Sequence, residues 1–421
     1  MNQKWLNTMR VYDEYERRFA AARAGKTLRF PITDDVRSEI LAETRRTLAW
    51  RDELVPTVHN MEEISRTDLG SYDAIQYRYE SWEDCFVPAT MYLPHEGDNL
   101  PLVMLFCGHG SDGRLTKNYR LMAHRLAESG VCVMVPDNLG QGDRNLYGDA
   151  PNPDHNFCIT PFYCGLTLQG MIVMESVALI RYMARHPRID ASRIGSCGNS
   201  GGGTLNLFLA AMAPELACIA ATGYPCGFHY ILEKERRHCV CNLLPGVLNG
   251  PEMWEVLSLA APKPLLIEQG LYDDLISVDY AQRCARKLKN VYIQYGKEEN
   301  FLQKITKTTH PWAEDDIDAV GSFLAKHLGF RFREPDSDPL AQYDVEAWHV
   351  KMPENGLHTA ELAEKLTGVH MPEGTGLHHI FAPQFEGLPL DPDFVEPDLG
   401  RGDVMRILAQ FECTLTEDWN K

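Results

Sequence analysis

From Pro101 onward, short apolar runs alternate with amphipathic stretches. PLVMLFCG, VCVMVPD, RIGSCGN, LACIAATGY, KPLLIEQG and NVYIQYG read as buried strands. Between and after them, NYRLMAHRLAESG, a stretch over 168–186, GGTLNLFLAAM, YAQRCARKLK and DDIDAVGSFLAKHLG read as helices. In the stretch over 168–186, Val173, Val177, Ile180 and Ala184 recur at four, three and four residues, which puts them on one helical face. Strands buried on both faces and separated by helices predict an α/β fold: a mostly parallel sheet covered by helices on both sides.

Outside this rhythm the pattern changes. Residues 1 to about 70 are charged and helix-favouring, with Gly25 and Pro31 as punctuation, and predict a helical N-terminal arm. From about Ala74, IQYRYESW and CFVPATMYLP predict two leading strands. Residues 224–258, rich in Cys, His, Pro and Gly, read as an insertion beside the strand ends. Residues 331–421 carry frequent Pro, Gly and Asp around two short helical stretches, ELAEKL and DVMRILAQF. The expected division is an arm with leading strands over 1–95, an α/β domain over 96–330, and a C-terminal extension over 331–421 whose role the sequence does not reveal.

Charge narrows the functions. Across 421 residues, 41 Lys and Arg against 59 Asp and Glu leave a net charge of −18. Such a chain repels phosphate backbones and anionic bilayers, and no basic patch interrupts it, so neither nucleic acid nor membrane is expected as a partner. No apolar run approaches the roughly 20 residues of a membrane span. The charged N-terminus lacks the apolar core of a secretory signal, which predicts a cytoplasmic protein. The twelve cysteines are scattered, several in apolar segments (Cys107, Cys132, Cys218), and read as reduced buried thiols.

The chemistry centres on RIGSCGNSGGGTLNLFLAA. Gly198-Asn199-Ser200-Gly201-Gly202 fits G-x-S-x-G, which would arise by chance in about one chain in seven of this length at ordinary glycine usage. Its context adds the weight: a strand enters, a helix leaves, and small residues flank the serine. This is the sequence of a nucleophile elbow, whose strained turn leaves no room for larger neighbours. A serine attacks only when a base removes its proton, so an acid and a histidine must follow in that order. Asp273, in GLYDDLI just beyond a strand, is the expected acid, with Asp274 as rival and Glu268 inside the strand. His310, in the loop KTTHPW before the last helix, is the expected base. Gly201 supplies one N–H to a developing oxyanion, and the loop LFCGHGSDG supplies the second, most simply from His109.

The stretch from about Leu102 to Gly329 resembles the α/β-hydrolase superfamily, and in detail its acetyl xylan esterase and dienelactone hydrolase-like branch. The residues that carry the likeness are CGHG (107–110), VPDNLGQGDR (135–144), LQGMIVMESVALIRYMARHPRIDASRIGSCGNSGGG (168–203), APKPLLIEQGLYDDLISV (261–278) and TTHPW followed by FLAKHLG. The resemblance implies an α/β-hydrolase fold and ester hydrolysis by a Ser-His-Asp triad with no metal or organic cofactor. Ser200, Asp273, His310, Gly201 and His109 fall on its motif positions. Residues 1–95 and 331–421 lie outside the likeness.

In the insertion, Cys226, His238, Cys239 and Cys241 invite a zinc reading. Cys-x-Cys without a second matched pair is not the spacing of a structural zinc site, so a pocket wall without metal is expected. The expected activity is a serine esterase acting on a small ester, with short acyl groups preferred and a homo-oligomer left open. A carbon–carbon bond hydrolase or a serine peptidase would use the same triad. The helical arm is too short for the propeller that peptidases of the prolyl oligopeptidase type carry. A catalytically inert binding protein on a hydrolase fold is the remaining alternative.

Overall fold

In a computed structural model of the chain, the residues described are 21, 29–110, 112–145, 155, 158–233, 240–242, 244–333, 343–373 and 375. One nine-stranded sheet organises them, in the order β1-β2-β3-β5-β4-β6-β7-β8-β9. The strands are β1 His59–Asp68, β2 Tyr72–Glu80, β3 Phe86–Pro94, β4 Leu100–Phe106, β5 Cys132–Pro136, β6 Ile189–Asn199, β7 Cys218–Thr222, β8 Leu265–Gly270 and β9 Phe301–Thr306. β1, β2 and β3 pair antiparallel, and β3 joins β5 antiparallel. From β5 through β4, β6, β7 and β8 to β9 every pairing is parallel. The leading strands therefore continue the same sheet.

The long helices are α1 Asp34–Thr47, α2 Lys117–Glu128, α3 Leu168–Met183, α4 Gly201–Met212, α5 Val278–Gln294, α6 Glu314–Leu328 and α7 Thr359–Thr367. α1, α3, α4 and α5 pack one apolar layer on one face of the sheet. α2 and α6, with Trp348, pack the other. In α3 every residue except Arg181 and Tyr182 is buried, so it is apolar around nearly its whole girth, as a helix covered on all sides must be. The all-buried strands β4, β5, β7 and β8 between the two layers account for the continuous apolar runs of the sequence.

Two elements differ from expectation. Residues 59–68, expected to be helical, form the edge strand β1. The segment HNMEEISRTD buries none of its side chains fully, and its backbone bonds to β2 hold it where its composition would not. NVYIQYG, expected as a strand, is the last part of α5 and the turn beyond it. Ala281, Cys284, Ala285, Leu288, Val291 and Tyr292 bury one face at helical spacing, and this outweighs the strand preference of Val291, Tyr292 and Ile293. The strand preceding His310 is β9, ten residues further on.

The beginning of the expected arm, 1–20 and 22–28, and the stretch DVMRILAQF lie outside the described residues. ELAEKL falls within α7. The insertion contains two short helices, Phe228–Glu233 and Met253–Ser258. No helix among the described residues is long and apolar enough to cross a membrane. The reading of all cysteines as reduced is corrected at Cys241, which is disulfide-bonded. Nine others are free thiols, eight of them buried.

Candidate active site

Ser200 sits between the end of β6 and the start of α4, with φ 57° and ψ −116°. A non-glycine residue in such a conformation costs on the order of 1–3 kcal/mol and persists only where its surroundings fix it. Those surroundings are visible. The Ser200 N–H donates to the Thr222 carbonyl (3.1 Å), and the Thr204 N–H donates to the Ser200 carbonyl (2.8 Å) as α4 begins. A Cβ on Gly202 would lie 2.0 Å from the Phe106 carbonyl oxygen, and one on Gly201 would lie 2.7 Å from the His109 ring. At Gly202 only hydrogen fits, because α4 approaches the β4 backbone so closely, whereas a side chain at Gly201 would require the His109 ring to move.

Asp273 lies just past β8 and His310 in the loop between β9 and α6. His310 Nδ1 is 2.8 Å from Asp273 Oδ2, with the carboxylate side chain almost fully covered. The other oxygen of Asp273 accepts from the N–H groups of Leu275 (2.8 Å) and Ile276 (2.9 Å), and Gln269 Nε2 donates to Oδ2 (2.7 Å). Burial acts to raise the Asp273 pKa, but the His310 contact and the two backbone donors outweigh it and hold the carboxyl below its ordinary value. Asp274 is exposed, and Glu268 is buried inside β8. Burial and the neighbouring Asp316 push the Glu268 carboxyl well above its ordinary value.

The elbow and the histidine loop are tied together directly. Asn199 Nδ2 donates to the His310 carbonyl (2.8 Å), and the buried Trp312 indole donates to Thr222 Oγ1 (2.8 Å). Thr222 in turn donates to Gly198 O and Asn199 Oδ1, both at 3.1 Å. His310 Nε2 is buried with no hydrogen-bond partner among the described residues, so Ser200 Oγ does not engage it here. Catalytic hydrogen bonds are often loose without substrate and tighten in the complex.

On the opposite side of Ser200, Gly108 approaches so closely that a Cβ there would lie 3.0 Å from the Ser200 Cβ. Its N–H donates to the Tyr119 hydroxyl (2.7 Å), which anchors the loop that carries His109. Gly201 opens α4, and a first-turn N–H has no acceptor within its own helix. The His109 side chain does not turn toward His310. Its Nε2 lies 3.0 Å from His155 Nε2 and 3.2 Å from Cys241 Sγ.

Sequence reasoning missed Asn199, Gln269, Thr222, Trp312 and His155. The first two adjoin named motif residues and could have been found there. Of the insertion residues weighed for metal, His238 and Cys239 lie outside the described residues. Cys226 is buried, its N–H donating to the Met253 sulfur, and Cys241 stands beside His109 instead.

Comparison with known proteins agrees with this architecture. Residues 50–239 match the acetyl xylan esterase (AXE1) family model. A curated relative, "Putative hydrolase YtaP" of Bacillus subtilis (strain 168), is 25% identical over 178 residues, 42% of this chain and 58% of its own length. The match thus spans less than two thirds of that relative. Among solved structures, Methylesterase BT1017 superposes with a TM-score of 0.62 at 17% identity, covering 84% of this chain and 78% of that one. A glucuronoyl esterase from Solibacter usitatus gives 0.54 at 14% identity, with 70% and 93% covered. The chain has the α/β-hydrolase fold, and its resemblance to acetyl xylan esterases is carried by residues 50–239.

Proposed function

We propose that the protein is a serine hydrolase that cleaves carboxylic esters through an acyl-enzyme intermediate, with Ser200 as nucleophile, His310 as base and Asp273 as the acid that orients it. One observation carries this reading: a serine at positive φ between a strand and a helix, whose neighbour Asn199 grips the loop of a histidine 2.8 Å from a buried aspartate. The match to acetyl xylan esterases supports the ester as substrate class.

In the proposed reaction His310 Nε2 accepts the Ser200 proton as Oγ attacks the ester carbonyl. Asp273 accepts the Nδ1–H, holds the ring in that tautomer and stabilises the imidazolium that forms. The carbonyl oxygen gathers negative charge between the N–H groups of Gly201 and His109. Collapse expels the alcohol, protonated by His310, and a water activated by the same imidazole then releases the acid. Because Asp273 is held below the ordinary carboxylate range, it stays ionised through neutral pH, as this role requires.

The substrate is proposed to be a small ester with a short acyl group such as acetyl, on a sugar-like or aromatic alcohol. Leu271, Tyr272 and Leu275, exposed on the loop that holds Asp273, offer an apolar rim on that side. A cytoplasmic location is proposed as well, in keeping with the many free buried thiols. Side-by-side kinetics on acetyl, butyryl and octanoyl esters and on a proline-containing peptide amide test the reading. Faster cleavage of the amide would sink the esterase proposal; a preference for octanoyl would remove only the short-acyl part.

A further inference from the structure

Next to the elbow stands a group of side chains that ester hydrolysis does not use. The imidazoles of His109 and His155 and the sulfur of Cys241 come from three separate segments, and their nearest ligand atoms all lie within 4.8 Å of one another. His109 Nε2 is 3.0 Å from His155 Nε2 and 3.2 Å from Cys241 Sγ, and the two rings meet edge to face with centroids 4.9 Å apart. His155 and Cys241 are buried, while His109 is exposed, so the group opens to solvent on the His109 side.

The outer contacts suit metal ligation. His155 Nδ1 donates to the Leu139 carbonyl at 2.8 Å, which assigns the proton to Nδ1 and leaves the Nε2 lone pair directed at the group. An imidazole that binds metal through one nitrogen and gives its other N–H to a carbonyl is the usual supporting arrangement of histidine ligands. Two imidazole nitrogens and one thiolate form a donor set for zinc, and three protein ligands leave a fourth position open.

Cys241 is disulfide-bonded in this structure, and a disulfide sulfur is not a thiolate ligand. We propose that reduction of this disulfide converts His109, His155 and Cys241 into a three-ligand zinc site beside the nucleophile elbow. A dithiol supplies two electrons and two protons and becomes a disulfide, or a phosphine supplies the two electrons and takes oxygen from a water molecule, whose two protons go to the sulfurs, to become a phosphine oxide; Cys241 and its partner become thiols. As zinc binds, Cys241 releases its proton to solvent and the Nε2 proton of His109 moves to Nδ1. A reducing cytoplasm would keep the site competent. The notion of zinc in the insertion alone failed on spacing; this set spans 132 residues, from position 109 to position 241, and only the fold assembles it.

The test uses the full chain, untreated or reduced with a phosphine that is then removed, titrated with Zn²⁺ by calorimetry and with Co²⁺ by absorbance. The reduced chain should bind one zinc about 100-fold tighter than the untreated chain, since even outer contacts are worth 10- to 100-fold in metal affinity. Its cobalt adduct should show a sulfur-to-metal charge-transfer band that Cys241→Ser abolishes, and His155→Ala should weaken binding comparably. Cys226→Ser, a buried cysteine outside the group, should leave zinc binding unchanged. Equal binding by the two redox forms, a cobalt adduct without the sulfur band, or a Cys241→Ser variant that binds as tightly would each overturn the proposal. The comparison of redox forms needs no variant to fold, and metal binding is read without reference to hydrolysis, so failure here leaves the esterase reading where it stands.

Discussion

The two flanks of Ser200 are built on different principles. On the Asp273–His310 side, each residue follows the end of a parallel strand, where open α/β sheets place their functional loops. The N–H groups of Leu275 and Ile276 donate to Asp273, and Asn199 Nδ2 donates to the His310 carbonyl, and these hydrogen bonds fix those loops. On the His109 side, Gly108 is held by the Tyr119 hydroxyl, while His155 and Cys241 approach from segments 46 and 132 residues distant from His109. In the proposed function the first flank moves a proton within a preorganised frame, and in the proposed zinc site the second is a contact among side chains whose chemistry depends on redox state. Side chains on the first flank should therefore control turnover; on the second, the backbone of Gly108 and His109 serves the oxyanion, while the side chains of His109, His155 and Cys241 should be dispensable for it unless metal is bound.

The severest way to break this contrast is at its centre. Ser200→Ala should lower kcat/KM by about 10⁴- to 10⁶-fold while leaving the fold intact, the usual cost of removing a triad member. Labelling by a fluorophosphonate should disappear with it, and labelling that persisted on another serine would remove the elbow from the chemistry.

Next in size is the acid. Asp273→Asn keeps the shape but presents an amide where the imidazolium needs a carboxylate, and should cost about 10⁴-fold in kcat. Asp274→Asn, at an exposed position on the same loop, should change kcat less than about 3-fold, as surface substitutions rarely matter. A reversed ranking, measured on one ester under saturating conditions, would transfer the role to Asp274.

A smaller effect is expected one contact further out. Gln269→Ala deletes the amide that donates to Asp273 Oδ2 at 2.7 Å. A hydrogen bond to a charged group contributes about 1.5–3 kcal/mol, so kcat should fall by at most about 10- to 100-fold. The loss should appear in kcat with KM little changed; a rise in KM alone would mean that Gln269 shapes the pocket rather than the acid.

How much of this was legible follows the same contrast. The parallel sheet could be read because β4, β5, β7 and β8 are buried on both faces and their apolar runs are unbroken. The meeting of Asp273 with His310 was legible because strand ends and chain order constrain both. β1 was not, since an edge strand with no fully buried side chain carries no alternation to read. The end of α5 was misread because Val291, Tyr292 and Ile293 favour strands locally, and only burial of Val291 and Tyr292 against the sheet makes the segment helical. His155 was invisible as a neighbour of His109 because nothing in its local sequence distinguishes it; the two rings meet only through tertiary packing.

The smallest predicted effect concerns stability. Glu268, buried in β8 behind the His310 loop, accepts from Thr306 Oγ1 at 2.8 Å and is hydrogen-bonded to Asp316, whose other contacts are Thr308 Oγ1 (2.8 Å) and the Ala313 N–H (2.7 Å). Burial first, and then the nearby Asp316 carboxyl, raise the Glu268 pKa well above its ordinary value. The sign follows from proton linkage. Between the ordinary glutamate value and the raised one, the folded state holds a proton that the unfolded state has released, so stability declines as pH rises, by at most about 1.4 kcal/mol per pH unit. Below the ordinary value both states are protonated and the penalty vanishes. Glu268→Gln reproduces the protonated side chain: its oxygen still accepts from Thr306 and its amide can donate to Asp316. The variant should match the wild type near pH 4, be the more stable of the two above neutrality, and turn over esters within about 3-fold of wild type, because the substitution leaves the hydrogen bonds of Asp273 and His310 in place. Urea unfolding of both proteins from pH 4 to pH 8 measures this directly, and a wild-type stability that rises with pH relative to the variant would show that Glu268 is ionised in the folded protein.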